Sequence, residues 1–429
     1  MIEPKILKGF KDSLPDEEII RKKFIRKIED SLLSIGYLPI DTPALEYFEI
    51  LSGKSGEESE KQIFSFEDAG GRKVGLRFDL TVPLARFVAL HLNELAFPFK
   101  RFHIAKVWRG EKPQKGRYRE FYQADFDIIG SDTIGSDIEI LNTIINLMES
   151  LNISNYKIFI NDRKLLSEIF KRLNLQEYEI SIMRIFDKIK KITKEELKGE
   201  LIKLNLNEST IDKLFNILKL YDNHKEFFQF IKKDFNIENT RLEEIMEIFD
   251  SSGKISNIKI DLSITRGLDY YTGVVFETYI DDAINFGSVC SGGRYENLVS
   301  LFSKNVYSGI GGSIGLDRLI AILEEKGKLE KNSFNNILII NFSNKYLPLY
   351  FDLQKKIIEN NIICEIFPDS DKIAKQFKYA DKKGIRFTLI IGEDEIKNKK
   401  IKLKDLKDGT EHIFEDIEGI IEYVKNIKV

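Results

Sequence analysis

At 429 residues, with 42% hydrophobic and 31% charged positions, the chain is too long for one hydrophobic core and reads as a soluble globular protein of two or three domains. A net charge of -3 excludes a globally basic protein, so any nucleic-acid partner must meet a local basic surface. No stretch approaches a membrane span and the opening MIEPKILKGFKDSLPDEE lacks an apolar signal core, so a cytoplasmic location with no membrane partner is expected.

Ser13-Leu14-Pro15-Asp16 reads as a capping signal, after which Ile20, Phe24, Ile28 and Leu32 repeat at helical spacing until Gly36. Residues 62–79 read as a hairpin turning at Gly70-Gly71, and strands at about 99–109 and 118–129 flank a Gly-containing loop. A capped helix is expected from Ser136, paired with Glu139, followed by a strand near 155–161. From about 164 to 255 Lys, Glu, Ile, Leu and Asn dominate at helical period, which predicts an inserted helical subdomain. Strands return over 256–290 and a helix follows Gly315. The charged run over Glu324–Asn336 reads as a linker. Beyond it strand, helix (346–360), strand, helix (371–383) and strand alternate, the pattern of a compact α/β domain with a largely parallel sheet.

Two familiar phosphate motifs fail on spacing. Gly53-Lys54-Ser55 resembles the end of a phosphate loop, but position 48 is Phe48 where the first glycine belongs. Gly309, Gly311 and Gly315 miss the dinucleotide fingerprint because position 314 is Ile314. Cys290 and Cys364 are isolated, and His91, His103, His224 and His412 show no ligand spacing, so no metal site is expected. Side chains must handle any phosphate bound here.

Read at period two, the strand Phe121–Ile128 turns Tyr122, Ala124, Phe126 and Ile128 one way and Gln123, Asp125 and Asp127 the other. The polar face by itself reads either as a solvated edge or as the floor of a site. The loop before it runs from Trp108-Arg109 to Arg117-Tyr118-Arg119-Glu120-Phe121. Arginines at the mouth of a sheet beside acceptors on its floor suit a polyanion lying over a polar small molecule.

These segments carry a resemblance. The 108–129 hairpin resembles motif 2 of class II aminoacyl-tRNA synthetases, Gly36-Tyr37 through Asp41-Thr42-Pro43-Ala44-Leu45-Glu46 resembles motif 1, and Gly312–Leu319 with Arg318 resembles motif 3. Arg266-Gly267-Leu268-Asp269-Tyr270-Tyr271-Thr272-Gly273 and Ser291-Gly292-Gly293-Arg294-Tyr295 resemble the two signatures of histidyl-tRNA synthetases. Arg77-Phe78-Asp79-Leu80-Thr81-Val82-Pro83 is similar to that family's histidine-pocket segment, and Lys375–Gly384 with the strand ending at Gly392 resembles its anticodon-binding domain. The resemblance is weakest across 164–255. Each run alone has a plainer reading, the glycines as tight turns, Tyr270 and Tyr271 as core aromatics, Arg266 as a surface charge, and Glu46 as a helix-face carboxylate.

The resemblance implies an α+β catalytic domain, an antiparallel sheet flanked by helices, built from 1–163 and 256–325. It further implies a helical insertion at 164–255 and an α/β anticodon-binding domain at 335–429. It implies a homodimer that uses ATP with Mg2+, no tightly bound cofactor, L-histidine and tRNA(His). Arg266 and Arg109 are the implied catalytic residues. Asp79, Leu80, Thr81, Arg109, Gln123, Asp127, Arg266, Tyr270 and Tyr271 are implied for histidine, and Arg109, Glu111, Arg117 and Arg318 for ATP. Gln114 and Arg119 are implied for the tRNA acceptor end. Where many bacterial relatives carry a glutamate, this chain has Asp79. Two rivals share the fold: a catalytically inactive regulatory subunit of ATP phosphoribosyltransferase, and an RNA-sensing synthetase-like module.

Overall fold

The computed structural model describes residues 1–53, 61–113, 116–189, 192–219, 223–265, 270–329, 336–370 and 372–427. The chain divides into two compact units, Met1–Leu329 and Glu330–Val429.

In the first unit the strands are β1 (Leu38–Pro39), β2 (Leu45–Tyr47), β3 (Ser65–Glu67), β4 (Lys73–Leu76), β5 (Phe99–Trp108), β6 (Glu120–Ile129), β7 (Tyr156–Asp162), β8 (Ile258–Ile260), β9 (Val274–Ile280), β10 (Cys290–Tyr295) and β11 (Gly309–Gly315). Strands β2, β4 and β3 form a small antiparallel sheet, and the expected turn is there, with Gly71 at a φ of 75° that glycine tolerates best. The central sheet has eight strands in the order β1-β5-β6-β11-β10-β9-β7-β8. Its interior from β5 to β7 is antiparallel, as expected, while β1 and β8 join the edges in parallel.

The helices Pro15–Ser34 and Ile134–Ser150 pack on this sheet and on each other, burying Ile28, Leu32, Ile140, Leu141 and Ile144 in its core. Neither helix starts as the sequence suggests. The first is capped by Leu14 with Pro15 at its first position, and Ser13 instead accepts a hydrogen bond from Arg21 Nη2 at 2.9 Å. The second begins after Thr133, so Ser136 lies inside the first turn and its hydroxyl donates back to Thr133 O at 2.7 Å. A serine near a helix start can satisfy backbone groups from more than one position, which is why the sequence pattern misplaced both caps.

Between β7 and β8 run the helices Arg163–Arg172, Glu179–Phe186, Lys194–Ile202, Glu208–Ile217, His224–Phe235 and Arg241–Ser251. Thr193 with Glu196 and Thr240 with Glu243 form reciprocal capping boxes. The buried faces of these helices, including Ile169, Phe186 and Phe249, continue the hydrophobic core of the sheet.

The second unit contains β12 (Asn336–Ile339), β13 (Ile363–Ile366), β14 (Phe387–Ile390), β15 (Ile401–Asp405) and β16 (Glu411–Phe414), in the order β13-β12-β14-β15-β16. The first three are parallel and are linked by the helices Leu347–Glu359 and Ile373–Lys383, close to their expected positions. Strands β15 and β16 are added antiparallel, so the sheet is less parallel than its sequence pattern suggests. The connection between them turns through Gly409 at a φ of 78°, and a hairpin return needs no crossover helix.

Candidate active site

The register of the central sheet builds a polar floor. The β5–β6 hairpin sets Arg101 opposite Asp127, His103 opposite Asp125 and Ala105 opposite Gln123. On its other side β6 pairs with β11, placing Asp127 beside Gly311, Asp125 beside Ser313 and Gln123 beside Gly315. Strand β6 lies inside the sheet and is buried on both faces: Ala124 and Phe126 join the core, while Gln123, Asp125 and Asp127 are 8%, 2% and 2% exposed. The solvated-edge reading of that face is therefore wrong. Gly311 makes the floor possible, because a Cβ there would lie 1.9 Å from Asp127 Oδ1.

Asp127 Oδ2 stands 2.5 Å from Nη2 of the fully buried Arg101, and its Oδ1 accepts from the Tyr295 hydroxyl at 2.7 Å. Burial pushes the Asp127 carboxyl up while the Arg101 guanidinium opposes the shift. Asp79 ends the loop before the helix Thr81–Leu90, where its Oδ1 accepts from the amides of Thr81 at 3.2 Å and Val82 at 3.0 Å. Its Oδ2 lies 3.4 Å from the Tyr270 hydroxyl, and burial raises it as well. The rings of Tyr270 and Tyr271 meet edge to face at 5.0 Å. Both phenols are driven up by burial, Tyr271 next by the charges of Asp127, Asp125 and Asp79, so both remain hydroxyl groups that can donate or accept. Leu80 is buried, and its carbonyl faces Arg101 Nη2 at 3.5 Å.

A cationic rim adjoins the floor. Arg109 donates to Phe78 O at 3.1 Å, reaches Gln123 Oε1 at 3.5 Å, and lies over the rings of Phe78 and Phe121 at 4.5 and 5.2 Å. Gln123 Nε2 in turn donates to Ser313 Oγ at 2.6 Å. Arg318 Nη1 donates to Ser288 O at 2.6 Å, while its buried Nε has no hydrogen-bond partner. Burial, then the nearby guanidinium groups of Arg117 and Arg109, pull Arg318 below its usual basicity, and Glu111 and Glu277 oppose this. Arg109 and Arg117 thus lie close enough to Arg318 for their charges to weaken it, and a group of guanidinium ions of this kind suits an anion. Arg117 and Glu111 lie 3.8 Å apart, and Arg119 Nε donates to Glu111 O at 3.0 Å. Asp317 fixes the adjoining helix, accepting from Arg21 Nη2 at 3.1 Å and from the Tyr122 amide at 2.7 Å.

The structure thus brings together Asp79, Leu80, Thr81, Arg109, Gln123, Asp127, Tyr270 and Tyr271 around one floor, with Glu111, Arg117 and Arg318 grouped at the rim. Arg266 and Gln114 lie outside the described residues, as does the Lys54-Ser55 half of the rejected phosphate loop. Other runs are structural. Arg294 is 1% exposed and donates to Asp137 Oδ1 at 2.9 Å, Ser136 Oγ at 2.9 Å and Ser308 Oγ at 2.8 Å. Glu46 accepts twice from Arg86, at 3.0 and 2.6 Å. Sequence reasoning set Asp125 on this face and named Ser313 and Tyr295 within motif runs but gave none of them a role, and it missed Arg101. Extending the period-two reading from the second strand of the hairpin to the first would have found Arg101 and His103, since the two strands were already expected to pair.

The profile of a family described as histidyl-tRNA synthetase matches residues 9–319, and that of an anticodon binding domain matches 336–427. A protein of Treponema denticola named histidine--tRNA ligase is 44% identical, covering 100% of this chain and 98% of its own. One of Helicobacter pylori with the same name is 42% identical over 95% of each chain. The crystal structure of histidyl-tRNA synthetase from Nostoc sp. PCC 7120 superposes with a TM-score of 0.87 at 32% identity, covering 99% of both chains.

Proposed function

The chain belongs to the histidyl-tRNA synthetase family, and from that premise we propose how its residues divide the work of joining histidine to tRNA. The enzyme is an ATP-dependent histidine--tRNA ligase; the reading as an inactive regulatory subunit is not favoured, since relatives named as the ligase span nearly the whole chain. One observation carries the assignment of roles: an acidic, buried floor on β6 adjoins a rim where Arg109 and Arg117 press their charge on Arg318. A zwitterionic amino acid with a polar ring suits the floor, and a triphosphate suits the rim.

Asp79, Thr81 and Gln123 accept the α-ammonium group, and Asp127 and Tyr271 address the two imidazole nitrogens, with Leu80 and Tyr270 closing the pocket wall. A site that pairs both ring nitrogens rejects amino acids lacking them by roughly 10⁴–10⁵, because its buried groups would go unpaired. Arg109 holds the α-phosphate and the reacting carboxylate, Arg318 the far end of the triphosphate, and Glu111 with Arg117 the bent nucleotide. Arg266 acts where the carboxylate meets the α-phosphorus, since a guanidinium fork spans two oxygens in fixed geometry. The reaction joins two anions, so charge compensation and alignment are its main demands.

Mg2+ enters this scheme with ATP. Among the described residues no group of three His, Cys, Asp or Glu side chains converges, and no step is assigned to the ion. Gln114 and Arg119 address the acceptor end of tRNA, the 164–255 insertion its stem, and 335–429 the anticodon, by stacking on splayed bases. The class II assignment, a homodimer formed through the motif 1 segment, and a cytoplasmic location complete the reading. Histidine-dependent pyrophosphate exchange, run against all twenty amino acids, tests it. Exchange that is not selective for histidine refutes the pocket assignment, and an active monomer in sedimentation refutes the dimer.

A further inference from the structure

The floor holds two carboxylate oxygens without a hydrogen-bond donor, Asp127 Oδ2, which has an arginine as ion-pair partner, and Asp125 Oδ1. Along the paired face of β5 and β6, Arg101 and Asp127 form a close ion pair, which Tyr295 completes. The next pair, His103 and Asp125, does not close. His103 turns its Nε2 to Asp41 Oδ1 at 3.0 Å, and its buried Nδ1 has no hydrogen-bond partner. Burial, then the charges of Arg101 and Arg77, push the His103 pKa down to about 4, so near neutral pH it brings Asp125 no counter-charge.

Asp125 is 2% exposed, with the Ser313 hydroxyl on one side and no hydrogen-bond partner for its Oδ1. The charged and titratable groups around it are Arg101 and His103 on β5, Asp127 on its own strand, Arg77 and Asp79 from the loop before the helix Thr81–Leu90, Tyr270 and Tyr271, and Cys290 on β10. Burial, the first of these causes, raises its carboxyl to about 7. A buried acceptor without a donor is destabilising until a donor arrives. This acceptor sits between Gln123 and Asp127 on one face of one strand.

Resting on the reading of this floor as the histidine pocket, we propose that Asp125 is a further recognition residue whose Oδ1 shares with Asp127 the ring N–H that this wall of the pocket addresses. Arg101 pairs with Asp127 Oδ2 and Tyr295 donates to its Oδ1, yet Asp127 Oδ2, like Asp125 Oδ1, has no hydrogen-bond donor, so the two oxygens can share one. A side chain with an apolar ring would leave this oxygen buried and unmatched, so Asp125 adds to selection for an N–H-bearing azole.

Calorimetric titration of the full-length protein with histidine, and with its des-amino analogue 3-(imidazol-4-yl)propionate, tests this in the parent, Asp125→Asn and Asp127→Asn. Asp125→Asn should weaken both ligands by roughly ten- to hundredfold while ATP affinity stays within about twofold. Asp125→Ser replaces it if the Asn variant does not fold, and each variant is used only if it keeps the parent's circular dichroism. Unchanged affinity for both ligands makes Asp125 a mere counter-charge to Arg101 and overturns the proposal. Weakening of histidine alone moves the contact to the α-ammonium group and overturns the ring assignment. If Asp127→Asn also leaves histidine affinity unchanged, the pocket reading itself fails; if only Asp125→Asn does, this proposal fails alone.

Discussion

Arg294 Nε donates to Asp137 Oδ1 at 2.9 Å, with both side chains shut off from water. Asp137 also accepts from Arg241 Nε at 2.6 Å, so one carboxylate ties β10 to the helix Ile134–Ser150 and to the last helix of the inserted segment. Arg294→Ala takes one of its two guanidinium partners from buried Asp137, strips a partner from each of Ser131, Ser136 and Ser308, and should destabilise the fold by about 3–5 kcal/mol. Urea unfolding measures this. A loss below about 1 kcal/mol would mean that Arg294 is not the brace described.

Tyr271→Phe should raise the KM for histidine by roughly five- to two-hundredfold, the effect of losing a buried hydrogen bond of about 1–3 kcal/mol, with little change for ATP. Asp127→Asn should do the same and, unlike Tyr271→Phe, lower stability as well, because it strands the fully buried Arg101. Steady-state kinetics with parallel unfolding curves separates the two effects. An unchanged histidine KM in both variants removes these residues from the pocket.

Arg266→Ala should leave folding and substrate binding largely intact while slowing adenylate formation by on the order of 10²–10³, the usual effect of removing one preorganised donor. Pre-steady-state adenylate formation at saturating histidine and ATP reads this directly. A rate within about threefold of the parent ends the catalytic assignment.

Asp125 supplies a pH test with a definite sign. Its carboxyl is raised to about 7 in the folded chain, against roughly 4 when unfolded. Between those values the folded state binds more protons, so the contribution of Asp125 to stability falls as pH rises through the window and is flat above it. Asp125→Asn removes that slope. The stability difference between variant and parent should therefore move in favour of the variant from about pH 4 to about pH 7 and then level off. A difference that does not vary with pH contradicts the buried, unpaired state of Asp125.

A chain ending at Leu329 should still form histidyl-adenylate and should charge tRNA poorly. Each unit has its own hydrophobic core, and every residue assigned to adenylation lies in the first. Full charging by the shortened protein would show that 335–429 does not serve the tRNA. Loss of adenylation would show that the tail supports the catalytic fold.

Much of this arrangement was legible in the sequence because it rests on short-range periodicity. The alternation over Phe121–Ile128 placed Gln123 and Asp127 on one face, and Gly70-Gly71 located its turn. What escaped depends on partners distant in the chain. Nothing local in β6 says that β11 covers its far side, so a buried floor and a solvated edge looked alike until the sheet order was known. Arg101 was missed because its role exists only through the register with Asp127. The serine caps failed for the opposite reason, since several positions near a helix start can satisfy the same amides.

The pairing of β6 with β11, from Ile129 beside Gly309 to Gln123 beside Gly315, also constrains how the protein is made. The ribosome releases the β5–β6 hairpin, with its acidic row, long before the strand that covers it. At roughly 5–20 residues per second, that delay is on the order of ten seconds or more. Throughout it the hairpin has an open edge, and its carboxylates are still hydrated. The helices of 163–251 emerge in the interval and can form local contacts early, while the sheet waits for its latest strand. Because β11 leads directly into the helix that bears Arg318, the step that pairs the free edge of β6 also delivers Arg318. In a nascent chain the floor is therefore closed and Arg318 joins Arg109 and Arg117 in one late step.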